Sequence, residues 1–313
     1  MYRFLWRLEQ QERRAKLTTF EGGPPIPDKI RLASAVTRTL VDMRFDAVSD
    51  LFKAHGTGSP TIIWSPSPYD FSQAVIKRFA ACTTGNGAQS KCLTVREFEH
   101  LNTQDFEPWM MVLEPSTDCS DFRYLKYGSE IAIMFGRDMT GHRTSELGGH
   151  ISDFFIALYT AVVIRKETVL SVHEPPSDVF ATTWRRLIIP LVDEVGRVCR
   201  LAAVNVPDNE LRAGMDALPD PALVVRPDGM MVYSNSHARR IFGDPSAHRV
   251  QISDYCDMAI DLPESAEKML RDKTFVVSRS MGVQNQVLVH FEVRVSATFY
   301  REKPYFVIIL KPH

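Results

Sequence analysis

Apolar residues recur at helical spacing through the first third of the chain and at alternating spacing beyond it, and this change of period divides the sequence. Phe4, Leu5 and Leu8 share one side of a short Arg/Glu/Gln-rich segment ending near Leu17, which Gly22-Gly23-Pro24-Pro25-Ile26-Pro27 then breaks. Asp28 is a good cap for a helical stretch in which Ile30, Leu32, Ala33, Val36, Leu40, Val41, Phe45, Val48, Leu51 and Phe52 follow until Gly56, with a bend expected near Arg44. Ile62-Ile63-Trp64 is too short to assign. Phe71, Val75, Ile76 and Phe79 predict another helix, closed by a loop of small polar residues over 83–90. Residues 1–93 therefore read as a helical N-terminal region.

From Trp109 onward strands are predicted over 109–113 and 122–127 about a turn at 116–121, followed by a brief helix over 129–135 that Gly136 stops. Ile151, Phe154, Phe155, Leu158, Ala161 and Val162 then form one apolar stripe of a longer helix. Strands over 168–172, 182–191 and 197–206 close this unit at residues 94–206. A connector over 207–220 contains a helix that Asp208 can cap, with Leu211, Met215 and Leu218 on one side. The order repeats over 221–313. Strands at 222–226 and 231–234 flank Pro227-Asp228-Gly229-Met230, where the Asp228-Gly229 pair is a hairpin signal. A short helix over 236–242 ends at Gly243, less regular helical pieces lie near 252–258 and 264–270, and strands follow at 274–280, 287–299 and 305–310. Over 287–299 the odd positions are apolar and most even ones polar, which predicts one face in the core and the other wet or against a partner.

Two strands, short helices and three longer antiparallel strands make an order that resembles the PAS sensory domain. In the second unit the residues that carry the resemblance are Ala222-Leu223-Val224-Val225-Arg226-Pro227-Asp228-Gly229, Val232-Tyr233-Ser234-Asn235, Ala238 and Ile241-Phe242-Gly243. The first unit resembles a PAS-like group common in alphaproteobacterial proteins, through Phe122-Arg123-Tyr124, Tyr127-Gly128, Phe135-Gly136-Arg137-Asp138-Met139-Thr140-Gly141 and Pro190-Leu191-Val192-Asp193-Glu194-Val195-Gly196. The resemblance does not reach residues before about Leu93. It implies an α+β fold of two tandem PAS-like domains, each a five-stranded antiparallel sheet with helices on one face enclosing a small cavity, used for ligand sensing or dimerisation. Such a fold hosts many functions, so the site has to decide.

Composition narrows the classes. With 313 residues, 44% hydrophobic and 24% charged, the chain has ample material for about two cores and is neither disordered nor fibrous. A net charge of -1 gives no overall field toward nucleic acid or acidic membrane. Cys82, Cys92, Cys119, Cys199 and Cys256 are scattered, without a C-x-x-C pair, and read as reduced thiols of a cytoplasmic protein. Charges from Arg7 to Arg14 interrupt the apolar start too soon for a signal peptide or a membrane span.

The expected interior of the first unit is lined by Tyr124, Phe135, Phe155, Tyr159 and Trp184, and that of the second by Val224, Tyr233, Ile241, Phe242, Tyr255, Phe275, Val289 and Phe291. Apolar residues at these positions are equally required by a solid core, so cavity and core stay open as alternatives. His150, at the start of the long helix, is the haem candidate, weighed against an exposed residue beside Gly148-Gly149. His142 and His173 are expected in loops, and His290 on the polar side of its strand. Cys256 has acidic neighbours and lacks the Asn-Cys-Arg context of a flavin photosensor. No haem, flavin, metal or other cofactor is predicted. Asn235 is expected to cap the helix after it and tie it to the hairpin. Arg137 and Asp138 are expected to pair across a turn, with Asp138 also able to cap.

No phosphate-binding loop, H-E-x-x-H, G-x-S-x-G or dinucleotide fingerprint occurs, and Ser265-Ala266-Glu267-Lys268 matches S-x-x-K without its companion motifs. The sequence ends at His313 without a kinase, cyclase or helix-turn-helix output. The leading expectation is a non-enzymatic bacterial sensory protein. It would form a homodimer that buries the N-terminal helix or the connector, and signal to a kinase, cyclase or transcription regulator. The alternatives are the sensor portion of a histidine kinase or diguanylate cyclase, and a haem- or flavin-bearing redox or gas sensor.

Overall fold

The computed structural model describes residues 28–84, 92–175, 179–208, 210–245, 251–256, 260, 262–263, 265–272, 274–284, 287–300 and 302–312. The helix expected before Leu17 and the loop at 85–91 lie outside them. The helical stretch after Asp28 is two helices, Asp28–Val41 (α1) and Asp46–Lys53 (α2), separated at Met43, whose φ is 59°. Residues Thr61–Trp64, unassigned by length, form strand β1, because a distant strand supplies the hydrogen bonds. Ala74–Thr84 (α3), Leu93–Thr94 (β2) and Val95–Glu99 (α4) follow. Thr94 and Glu97 cap α4 reciprocally, the Thr94 hydroxyl accepting from the Glu97 N–H and the Glu97 carboxylate from the Thr94 N–H.

The first unit continues with Met110–Pro115 (β3), Phe122–Tyr127 (β4), Ser129–Phe135 (α5), Gly149–Arg165 (α6), Val169–His173 (β5), Thr183–Val192 (β6) and Val198–Asp208 (β7). Glu210–Asp216 (α7) connects it to the second unit. That unit comprises Ala222–Val225 (β8), Met231–Ser234 (β9), Ser236–Phe242 (α8), Ile252–Tyr255 (α9), Ala266–Asp272 (α10), Val276–Gln284 (β10), Val287–Tyr300 (β11) and Lys303–Pro312 (β12).

The first sheet runs β1-β5-β6-β7-β3-β4 with β2 added parallel to β6, and the second runs β10-β11-β12-β8-β9. Setting aside β1 and β2, both sheets follow one order in space, with the third, fourth, fifth, first and second strands of the unit side by side. The fold is α+β, with two sheets that are antiparallel apart from β2. Where five strands were expected, the first sheet has seven, because the N-terminal region contributes two.

That region also completes the first core. The run Leu187-Ile188-Ile189-Pro190-Leu191-Val192 in β6 is buried on both faces, as a strand covered on both sides should be. On one face Phe154, Phe155 and Leu158 of α6 pack with Ile188 and Ala203, backed by Val36, Leu40 and Phe52 of α1 and α2. On the other, Phe79 of α3 and Phe98 of α4 pack with Leu187, Ile189 and Leu191. At about 1.5–3 kcal/mol per fully buried large apolar side chain, these helices contribute much of what holds the unit together.

In the second unit Leu223, Val225, Phe291, Val293, Val295 and Ile308 meet the helices. Val224, Tyr233 and Tyr305 face the other way, against Met215 of α7 and Phe180 of the first unit. The connector stripe of Leu211, Met215 and Leu218, expected to meet a second copy, therefore lies on the sheet of its own chain, since burial there covers it.

The units are joined at Glu130 of α5, buried to 7% exposure. Its carboxylate accepts from Arg239 of α8 through both guanidinium ends and pairs with Arg212 of α7 at 3.4 Å. Thr182 and Tyr300 add a hydrogen bond at 2.5 Å across the same junction. Among the described residues no helix is long and apolar enough to cross a membrane.

Candidate functional site

The strand register places three polar side chains in a row inside the first unit. Ser171 of β5 lies opposite Arg186 of β6, and Arg186 lies opposite Asn205 of β7. Directly opposed residues share a face, and here it is the face under α6. Their exposures are 0%, 5% and 1%. Each buries a polar atom without a hydrogen-bond partner: Ser171 Oγ, Arg186 Nε and Asn205 Oδ1. His173, one alternation further along β5, does the same with Nδ1.

Arg186 is the centre of this arrangement. Its guanidinium carbon sits 3.7 Å from the centroid of the Phe155 ring, and Nη1 donates to the Tyr159 hydroxyl at 2.5 Å. Among the described residues it forms no ion pair. Tyr124 and Tyr127 pack edge to face at 5.1 Å, and Tyr159 does so with Phe122 at 5.2 Å. Burial pushes all three phenols above their usual range, so they stay protonated and available as donors. Burial, then the Arg186 charge and His150, push the His173 imidazole well below its ordinary value, so it is neutral near pH 7. The interior thus holds one permanent cation among neutral hydrogen-bonding groups.

The expected residues divide. Tyr124, Phe155 and Tyr159 surround Arg186, Trp184 is buried beside His173 in the register, and Phe135 is partly buried at the edge of the same core. His173 is not in a loop but ends β5, because the strand runs one residue further than its apolar pattern. Sequence reasoning missed Ser171, His173, Arg186 and Asn205. A signal existed, since Arg186 directly adjoins the run Leu187–Val192 that is buried on both faces, where a charge is out of place.

The second interior is different. Phe242, Tyr255 and Phe291 pack together there with Ile241 and Val289. Tyr255 donates to the Gly243 carbonyl at 2.9 Å, and burial moves its phenol up to about 12. Tyr233 and Val224 are not in this interior, because strand alternation turns them to the opposite face, where Tyr233 donates to Asp216. Phe275 precedes β10 and is 66% exposed, so it lines nothing. Among the described residues the second unit buries no unpaired side-chain polar atom.

The remaining residues have structural partners. Asn235 Oδ1 accepts from the N–H groups of Ala238 and Ala222, while Nδ2 donates to the carbonyls of Met215 and Asp220, so one side chain ties α8, β8 and α7 together. Gly229 takes the φ of +83° that the hairpin turn needs, and Asp228 accepts from the Met230 N–H. Asp138 accepts from the Thr140 N–H and hydroxyl, while Arg137 pairs with Glu146 at 3.3 Å; the expected Arg137–Asp138 pair is absent because each finds a closer local partner. His142 pairs with the same carboxylate at 2.7 Å.

His150 is half-buried rather than exposed. It stacks on His55 at 4.5 Å and meets the Phe52 ring edge at 5.0 Å, outside the row of polar groups. Among the described residues there is no cluster of His, Cys, Asp and Glu suited to a metal ion. A groove of about 810 Å³ opens on the opposite face of the first sheet, lined by Tyr69, Phe71, Lys77, Lys166 and Leu187 among others, yet none of its lining residues buries an unpaired polar atom.

No protein-family model and no curated protein sequence matches the chain. Solved structures that resemble it include the PAS domain of nitrogen regulation protein NR(II) from Vibrio parahaemolyticus, 14% identical over 34% of this chain and 99% of that one, with a TM-score of 0.28. A PAS domain from a two-component sensor histidine kinase is 8% identical over 33% and 93%, at 0.26. The sensory domain of the Campylobacter jejuni chemoreceptor Tlp3 is 10% identical over 91% and 92%, at 0.24. Likenesses this distant carry no argument; what the structure itself establishes is an α+β arrangement in which the two units share one strand order.

Proposed function

We propose that the protein is a non-catalytic sensory protein of two tandem PAS-like domains, in which the interior of the first unit receives a small ligand. One observation carries this reading: a row of buried, unpaired polar groups spans the centre of that unit. Leaving such a group unpaired costs about 1–3 kcal/mol, and a buried charge costs several more, so a core selected only for stability would not keep four of them together. A ligand that pairs them recovers those terms, which is a differential affinity able to shift a conformational equilibrium.

The route outward is short. Tyr124 and Tyr127 lie on β4, α5 follows directly, and α5 presents Glu130 to Arg212 and Arg239 of the next unit. Pairing inside the first unit is thereby linked to the junction. The units extend over 94–206 and 221–313, with 1–93 as an N-terminal region whose described part supplies helices and β1 to the first unit, and 207–220 as connector. The output is a rearrangement of a homodimer read by a partner kinase, cyclase or transcription regulator in the cytoplasm.

The test is to purify the protein natively, denature it and identify released small molecules by mass spectrometry. A stoichiometric compound is expected from wild type and not from a variant whose interior is filled by Ser171→Leu. Equal, empty extracts from both, with no change in amide exchange at 129–135 on adding cell metabolites, would refute the reading.

A further inference from the structure

The unpaired atoms differ in what they require, and together they describe the missing occupant. Arg186 is charged at every accessible pH, because its guanidinium does not deprotonate in proteins. It is 5% exposed, and among the described residues its one hydrogen bond goes to a neutral phenol. The Phe155 ring offers its negative face, but cation–π attraction of about 0.5–2 kcal/mol does not offset the desolvation of a full charge. An anion is the complement that restores neutrality. The neighbouring groups exclude a second cation and favour a compact, hydrogen-bonding anion: neutral His173 and Ser171 lie on one side in the register, and Asn205 on the other.

We propose that the interior of the first unit binds a small carboxylate, paired with Arg186 and carrying a hydrogen-bond donor on the adjacent carbon. The inference rests on the sensory reading and deepens it by naming the ligand class. One carboxylate oxygen accepts from Arg186 Nε–H and the other from the Ser171 hydroxyl, which satisfies two of the four orphan groups. Asn205 Oδ1 is an acceptor and cannot serve an oxygen anion, so it takes an O–H or N–H from the ligand instead. His173 Nδ1 completes the set as donor or acceptor according to its tautomer. Around this row the walls are the aromatic side chains of Tyr124, Phe155, Tyr159 and Trp184, which offer no second charge to a further polar substituent of the ligand.

The experiment uses the full chain and three probes of nearly one size: acetate, glycolate and acetamide. Thermal unfolding and isothermal titration are followed at constant ionic strength, in a buffer without carboxylates. Glycolate should bind most tightly, acetate more weakly, and neutral acetamide not at all. Arg186→Met, which keeps much of the volume and removes the charge, should weaken glycolate binding on the order of 30-fold, the worth of a charge-assisted hydrogen bond expressed as affinity. In the absence of probe it should melt no lower than wild type, because it removes an uncompensated charge.

Should Arg186→Met fail to fold, Ser171→Ala carries the same test, and the ranking of probes on wild type needs no variant. Acetamide binding as well as acetate, or none of the three binding, overturns the carboxylate. A neutral metabolite recovered from the native protein also overturns it while leaving the sensory reading intact; empty extracts from wild type and Ser171→Leu, with amide exchange at 129–135 unchanged by cell metabolites, sink that reading separately.

Discussion

The two units share a strand order and differ in what they bury. In the second, Tyr255 reaches the Gly243 carbonyl and Asn235 makes four hydrogen bonds, so buried polar groups in its described residues hold elements together. In the first, Ser171, His173, Arg186 and Asn205 face inward with atoms unpaired. One topology thus supports a satisfied core and a frustrated one, and frustration at the centre of a unit is what a binding site costs in stability. The first unit is also the one buttressed on both sheet faces by helices from before residue 93, which supply apolar burial to offset that cost.

The largest expected effect lies at the junction between the two. Glu130→Ala removes the one carboxylate shared by Arg212 and Arg239 and should cost about 3 kcal/mol, as for other buried ion pairs broken on one side. It should also uncouple the units, so that calorimetry shows two unfolding transitions where wild type shows one. A single transition at the wild-type temperature would mean that the units do not communicate here.

Asn235→Ala should come next, at about 2–3 kcal/mol confined to the second unit. That exceeds a simple helix cap, because Ala leaves the Ala222 and Ala238 N–H groups and two carbonyls unpaired in the interior. Amide exchange can assign the loss: protection should fall over 222–242 and hold over 151–162. Equal loss in both would show that the second unit supports the first.

How far the sequence carried these contrasts depends on the range of the interaction. Local patterns sufficed for β4, α5, β9 and α8, which fall at their expected limits because turn residues such as Gly136, Gly229 and Gly243 punctuate them. The Asn235 cap was legible for the same reason, since its acceptor and Ala238 are three residues apart. β1 was not, because a four-residue strand exists only through pairing with Val169–His173, over a hundred residues away. The aromatic half of the site, Tyr124, Phe155 and Tyr159, could be read from apolar spacing. Of the polar half only Arg186 left a signal, since Ser171 and Asn205 become its neighbours through register alone, and Val224 and Tyr233, which pair with each other, were assigned to the wrong face because which side of a hairpin meets the helices is set by tertiary packing.

Acid should distinguish the units more gently. The folded-state value of His173 lies below its ordinary 6.5, so the native chain excludes a proton that the unfolded chain accepts. Its contribution is intact above pH 6.5 and is lost as pH falls below that, by about 1.4 kcal/mol per pH unit until the folded value is reached. His150, itself lowered by burial and by His55, adds to the same slope, and the other charge facing His173 is Arg186. Between pH 6.5 and 5, above the range where the lowered carboxylates of Asp118, Glu146 and Asp193 titrate, the first unit should lose stability faster than the second. His173→Gln should flatten the difference, measured by urea denaturation at each pH; an unchanged slope would show that His173 takes up its proton in place.

The smallest effect has the opposite sign. Ser171 has no exposed surface, and its hydroxyl has no partner, so Ser171→Ala removes an unsatisfied group and leaves the Cβ packing untouched. In a solid core the same change at a bonded serine would cost stability. Here the ligand-free protein should gain roughly 0.5–1 kcal/mol, since deleting an unpaired buried group returns part of its desolvation cost. The gain should vanish when ligand is present, because the wild-type hydroxyl then has an oxygen to bond and the alanine does not. Denaturation curves of the two proteins, with and without the recovered ligand or glycolate, give both differences. A loss in the ligand-free state would mean that the hydroxyl is already bonded, by water or by rotation, and would make the first interior a satisfied core like the second.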